Sequence, residues 1–198
     1  MSLLVMFGCA AGDLDAEEAV QVLDALYSVN GDTWARIYDR SAPELDAGAD
    51  TGVDLDKALL FHTDFTDGTF EGTVEGPGSW TGSVAVDGRF ELESLGDDNW
   101  AQIWVMSLGW EKVRWGNLRV DGAFDWDVKA EIEDESTFTY LSRVRGEVTA
   151  RGDANGVAEV DYLTTAVLGG GRYQVVVSGT VGGHDVSSQW DATDAFGL

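Results

Sequence analysis

Two histidines, His62 and His184, one cysteine, Cys9, and 36 aspartates and glutamates are the side chains here that could move protons, attack a carbonyl or hold a metal. Their spacing narrows the options. The histidines stand far apart with no HExxH-like pattern, and a single cysteine supports neither an internal disulfide nor a CxxC site, so a His- or Cys-ligated metal centre is not expected. No GxSxG elbow is present, and Gly169-Gly170-Gly171 lacks the lysine and helix of a phosphate-binding loop, which leaves it a hairpin turn. With so many acids, some carboxylate pair suited to glycoside hydrolysis will arise by chance, so a carboxylate-dependent hydrolase is the weakest reading. The expectation is a protein that is not an enzyme.

Oxygen-rich loops suit a hard cation better. Asp50, Asp54 and Asp56, together with Asp97-Asp98-Asn99 and Asp153/Asn155, place carboxylate and amide oxygens in expected turns, and calcium is the one cofactor such sets would take, though none matches an EF-hand. Lys and Arg number 12, which gives a formal net charge of -24. A surface so acidic repels nucleic-acid phosphates and anionic head groups, so no nucleic-acid partner is expected. Solubility, or life in salty surroundings, accounts for the carboxylate coat without a specific ion site.

The elements that must position any site are mostly strands. From residue 58 to 198 the chain reads as antiparallel β, with two-residue turn signals at Asp67-Gly68, Asp87-Gly88, Asp121-Gly122 and Asn155-Gly156. Between them, Phe70/Gly72/Val74, Trp80/Gly82/Val84/Val86, Phe90/Leu92, Phe124/Trp126/Val128/Ala130 and Tyr173/Val175/Val177/Gly179/Val181 line one face at period two. Glu71, Glu91, Glu93, Asp125, Asp127 and Arg172 fall on the other face, so the sheet is wet on one side. GSVAVDGRFELE (82–93) echoes GNLRVDGAFDWD (116–127), which suggests duplicated hairpins and would set Glu91 and Glu93 beside Asp125 and Asp127. Gly72, Gly82, Gly146 and Gly179 each precede a valine by two residues on the apolar face, a pattern that points to strong curvature.

The fold expected is mainly β: an antiparallel meander of about ten strands forming a curved sheet or barrel, with a two-sheet sandwich as the alternative. One amphipathic helix precedes it. Asp15 with Glu18 makes a capping box, Val20, Leu23 and Tyr27 form an apolar stripe, and Asn30-Gly31 marks the stop. Residues 32–40 fit a short helix or an edge strand, and residues 41–56 read as an acidic surface loop. The helix and acidic loop (15–57) and the β domain (58–198) are expected to form one globular unit. In NWAQIWVMSLGW (99–110) both faces are apolar, so the helix is expected to cover one of them. The functional alternative places an apolar ligand inside a barrel against Trp100, Trp104 and Trp115.

No later segment approaches the roughly 20 apolar residues that cross a bilayer, so any attachment to a membrane runs through the N-terminus. There Leu3-Leu4-Val5-Met6-Phe7-Gly8-Cys9 resembles the end of a bacterial lipoprotein signal peptide, with the lipobox-like stretch MFGC at residues 6–9. The resemblance implies that residues 1–8 are the end of a removed leader, that Cys9 is the lipidated residue, and that residues 9–14 are a tether. It implies a cell-envelope protein anchored by lipid, the outer membrane first, with a soluble secreted or periplasmic protein as the alternative. The function expected is a structural or interaction role, with an envelope glycan, lipid or protein as partner. The alternative is a binding module for an apolar ligand or carbohydrate in or on the β domain.

Overall fold

The computed structural model describes residues 13–51, 59–69, 78–96, 99–134 and 137–193. Cys9, Asp54, Asp56, Asp97, Asp98 and the 70–74 strand expected from the sequence lie outside them. Helix α1 (Ala16–Thr51) opens as its capping box requires. Asp15 Oδ1 accepts the Glu17 and Glu18 amides at 2.9 Å each, and Glu18 Oε2 accepts the Asp15 amide at 2.9 Å.

Asn30-Gly31 does not stop this helix, which runs on to Thr51 through the 32–40 segment and most of the expected acidic loop. Glycine inside a helix costs roughly 1 kcal/mol relative to alanine. The next two turns offset that cost by burying Thr33 and Ile37 and packing Trp34 on the core. The buried face is also rotated from the expected one. Ala19, Val22, Leu23, Ala25, Leu26 and Val29 are dry, while Val20 is 46% exposed, because the sheet wraps the helix and selects a broader arc.

The sheet is a meander of β1 (Leu59–Thr69), β2 (Ser79–Gly96), β3 (Asn99–Trp115), β4 (Leu118–Asp134), β5 (Thr137–Arg151), β6 (Gly156–Gly169) and β7 (Arg172–Val181). Two short strands, β8 (His184–Asp185) and β9 (Ser188–Asp191), both pair with β7. Among the described residues β1 pairs with β2 alone, so the sheet is curved but not closed into a barrel, and there is no second sheet to make a sandwich. The helix lies in the trough and supplies the apolar surface that a closing wall would have supplied.

Three of the four turn signals fall inside strands: Asp67-Gly68 in β1, Asp87-Gly88 in β2 and Asp121-Gly122 in β4. Only Asn155-Gly156 lies at a strand connection, between β5 and β6. Two of these aspartates sit at bulges. Asp67, at φ 50°, accepts the Gly82 amide at 2.9 Å, and Asp121 accepts the amide of Lys112, itself at φ 55°, at 2.7 Å. A side-chain carboxylate thus replaces the ladder acceptor that a bulge removes.

Curvature follows from glycines on the concave face. A Cβ on Gly146 would lie 2.4 Å from the Ala123 carbonyl oxygen, and one on Gly179 would lie 2.2 Å from that of Asp161. Only glycine lets neighbouring strands approach so closely. The echoed segments are not paired hairpins: they occupy β2 and the turn leading into β4, with β3 between them. Glu91 and Glu93 therefore do not stand beside Asp125 and Asp127. The convex face intersperses its few cations among the acids, with Arg143–Asp161 at 3.0 Å, Arg145–Asp127 at 3.2 Å and Lys129–Glu131 at 2.7 Å. On β3 the helix lies over the Trp104, Met106 and Leu108 side, while Ile103 and Val105 on the other side stay half-buried.

Candidate functional site: an aromatic cleft between helix and sheet

Midway along α1 the helix stands off the sheet and leaves a cleft of about 240 Å³. The helix contributes Tyr27, Asn30, Gly31 and Trp34, which its periodicity places on one face. Opposite stand Trp126 of β4, Tyr140 and Ser142 of β5, and Tyr162, Thr164 and Ala166 of β6. Tyr173 and Val175 of β7 and Trp190 of β9 complete the wall.

Register explains why a space forms here. One cross-strand row runs Tyr140, Ala166, Val175, Trp190, and the adjacent one runs Val128, Ser142, Thr164, Val177. Small side chains in the middle of each row leave a hollow, which the rings of Tyr140 and Trp190 border at the two ends of the first row. Those rings are tilted against one another. Tyr27 and Trp190 meet at 68° with centroids 6.3 Å apart, and Trp34 and Trp126 meet at 59° and 5.8 Å.

The polar groups in the cleft fall into two sets. Trp126 Nε1 donates to Ser142 Oγ at 2.7 Å and is satisfied. Asn30 is 3% exposed and Thr164 2%, yet neither atom of the Asn30 amide, nor the Thr164 hydroxyl, has a partner at hydrogen-bonding geometry. The Tyr162 hydroxyl lies near Asn30 and that of Tyr27 near Thr164, close enough to interact but outside that geometry. Each unpartnered buried group costs about 1–3 kcal/mol. Packing does not require the neighbouring glycine either, because a Cβ on Gly31 would meet nothing within 4 Å. Local stability is thus given up at two adjacent positions that line one cleft.

The cleft is electrically neutral. None of its lining side chains is an acid, a base or a thiol. Burial pushes the hydroxyls of Tyr140 and Tyr162 well above the ordinary tyrosine range, and it raises Tyr27 and Tyr173 as well. Such a lining can enclose a ligand with ring faces and hydrogen-bond it. It supplies no carboxylate pair and no base to activate Ser142.

The tryptophans singled out from the sequence lie elsewhere. Trp104 is fully buried in the core, its ring 4.4 Å from Phe90, 4.9 Å from Trp34 and 5.9 Å from Phe61. Trp100 and Trp115 are half-buried on β3, and none of the three lines the cleft. Asp50 lies on α1, and Asp54 and Asp56 fall outside the described residues. Among the described residues no cluster of three potential metal ligands occurs. The histidines have structural partners: the exposed His62 ring meets Asp87 at 2.7 Å, and His184 Nε2 donates to the Leu14 carbonyl at 2.6 Å, fastening the sheet to the start of α1.

Comparison of the chain with protein-family models, with curated proteins and with solved structures finds no match.

Proposed function

We propose that this protein is a binding module for a compact ligand held between α1 and strands β4–β7. The observation that carries this reading is the pairing of aromatic walls with the unpartnered, buried Asn30 and Thr164 in one cleft. At about 240 Å³ the cleft is a little smaller than the roughly 300–1,000 Å³ of sites for drug-sized ligands, so the ligand is small. The test is Gly31→Leu. Leucine has room at this exposed position on the cleft lining and favours helix, so the variant should melt higher than the parent while its side chain obstructs the cleft mouth. Quenching of the cleft tryptophans by 3,3-dimethylbutan-1-ol, a compact neutral probe, should vanish in the variant. Equal quenching in parent and variant would place binding elsewhere.

For location we propose attachment to the cell envelope through a lipid on Cys9. The support is the lipobox-like MFGC at residues 6–9. Among the described residues no helix is long and apolar enough to cross a membrane. Detergent-phase partitioning that is lost in Cys9→Ser is the expected result, and an unacylated Cys9 in a chain expressed with its leader would overturn it.

A further inference from the structure

Resting on the reading of the cleft as a ligand site, we propose that its ligand is a quaternary ammonium compound: a trimethylammonium head enclosed by the aromatic walls, with a short hydrogen-bonding tail at Asn30 and Thr164. Three observations converge on this chemistry. Four of the lining rings form two contacting pairs, Tyr27–Trp190 at 68° and Trp34–Trp126 at 59°, so neither pair makes parallel plates that would sandwich a flat group. Tyrosine and tryptophan faces carry negative quadrupole potential, so a ring-lined box attracts a cation without any carboxylate. The body outside carries a formal charge of -24, which draws cations towards the mouth and repels anions.

A quaternary ammonium suits such a box better than a lysine-like ammonium. It has no N–H groups, so it leaves water at lower cost and needs no acceptors from the walls. The two unpartnered side chains then have a use. The Asn30 amide offers a donor and an acceptor, and the Thr164 hydroxyl a second of each, to a hydroxyl or ester on the tail. The same head group occurs on free small molecules and on lipids, and the cleft chemistry is shared between them.

Choline and 3,3-dimethylbutan-1-ol have the same shape and differ in one atom, nitrogen against carbon, and so in charge. Titration of tryptophan fluorescence in the intact protein should show choline binding about tenfold more tightly than the carbon analogue. Its affinity should fall as sodium chloride is raised. Asn30→Leu should weaken choline severalfold and leave tetramethylammonium, which has no tail, unchanged; Thr164→Val gives the same contrast should Asn30→Leu not fold. Equal binding of choline and its carbon analogue would overturn the ammonium assignment while leaving the cleft a ligand site. Binding of neither would overturn both. Retention on phosphatidylcholine vesicles but not on phosphatidylglycerol vesicles would support the proposal and identify the source as a lipid head group, and binding of free choline alone would support it with a soluble source.

Discussion

Asp32 Oδ2 accepts a hydrogen bond from the Trp80 indole nitrogen at 2.9 Å and lies 2.9 Å from Arg36 Nε, so one carboxylate oxygen joins a turn of α1 to strand β2. The Asp32 side chain is only 9% exposed, and the Arg36 guanidinium also lies 5.7 Å from the Trp80 ring and 5.9 Å from that of Phe65. This junction ties α1 to β2 directly after the cleft-lining Asn30 and Gly31. Asp32→Ala would leave a buried indole N–H and an unpaired Arg36. The expected loss is about 2–3 kcal/mol in urea unfolding, with weaker choline binding. A loss under about 0.5 kcal/mol would show that the junction does not hold the helix.

Sheet curvature makes a sharper comparison between two glycines. At Gly146 an added methyl group would meet the Ala123 carbonyl oxygen at 2.4 Å, whereas at Gly109 it would meet nothing within 4 Å. Gly146→Ala should therefore destabilise by about 2 kcal/mol, and Gly109→Ala should change stability by less than about 0.5 kcal/mol. Equal effects at the two sites would refute the role given to close strand approach.

Alkali should unfold the protein through its tyrosines. Burial raises the hydroxyls of Tyr140 and Tyr162 above the ordinary value of 10.0. The unfolded chain therefore releases protons near pH 10 that the folded chain retains. Stability from this source is fully present below pH of about 10 and is lost as the pH rises beyond it. Chemical denaturation at stepped pH should show this fall, and Tyr140→Phe should make it shallower. An unchanged slope would mean that Tyr140 ionises as readily folded as unfolded.

Added salt should stabilise the fold. Ion pairs such as Arg143–Asp161 lie on the exposed convex face and are worth about 0–1 kcal/mol each, so screening them costs little. Screening the mutual repulsion behind a charge of -24 gains more. The melting temperature should rise by about 5 °C between low salt and half-molar sodium chloride, as judged by circular dichroism. A fall would mean that the paired charges outweigh the repulsion.

The one-sided meander and its curvature were legible in the sequence because period-two alternation and glycines on the apolar face report on local backbone geometry, although Gly146 and Gly179 fall in different cross-strand rows. Asp87-Gly88 and Asp121-Gly122 misled because a turn and a strand interior can share a dipeptide. What decides is whether a neighbour fills the space above the glycine, as Phe61 does at Gly88, where an added Cβ would lie 2.6 Å from its ring. The helix outran Asn30-Gly31 because its continuation is held by Trp34 and Ile37 against strands distant in sequence. The cleft was missed for a related reason: Tyr27, Tyr140, Tyr162 and Tyr173 come from four elements, and only the register brings them together. One compositional trace was available, since these are four of the five tyrosines in the chain.

The most direct measurement is a choline titration followed by the indole N–H resonances of the eight tryptophans. Trp34, Trp126 and Trp190 line the cleft, while Trp80 and Trp110 are buried away from it. Saturable shifts are expected for the first three and unchanged positions for the other two. Shifts absent from the cleft tryptophans, or spread equally over all eight, would contradict binding of a quaternary ammonium in the cleft.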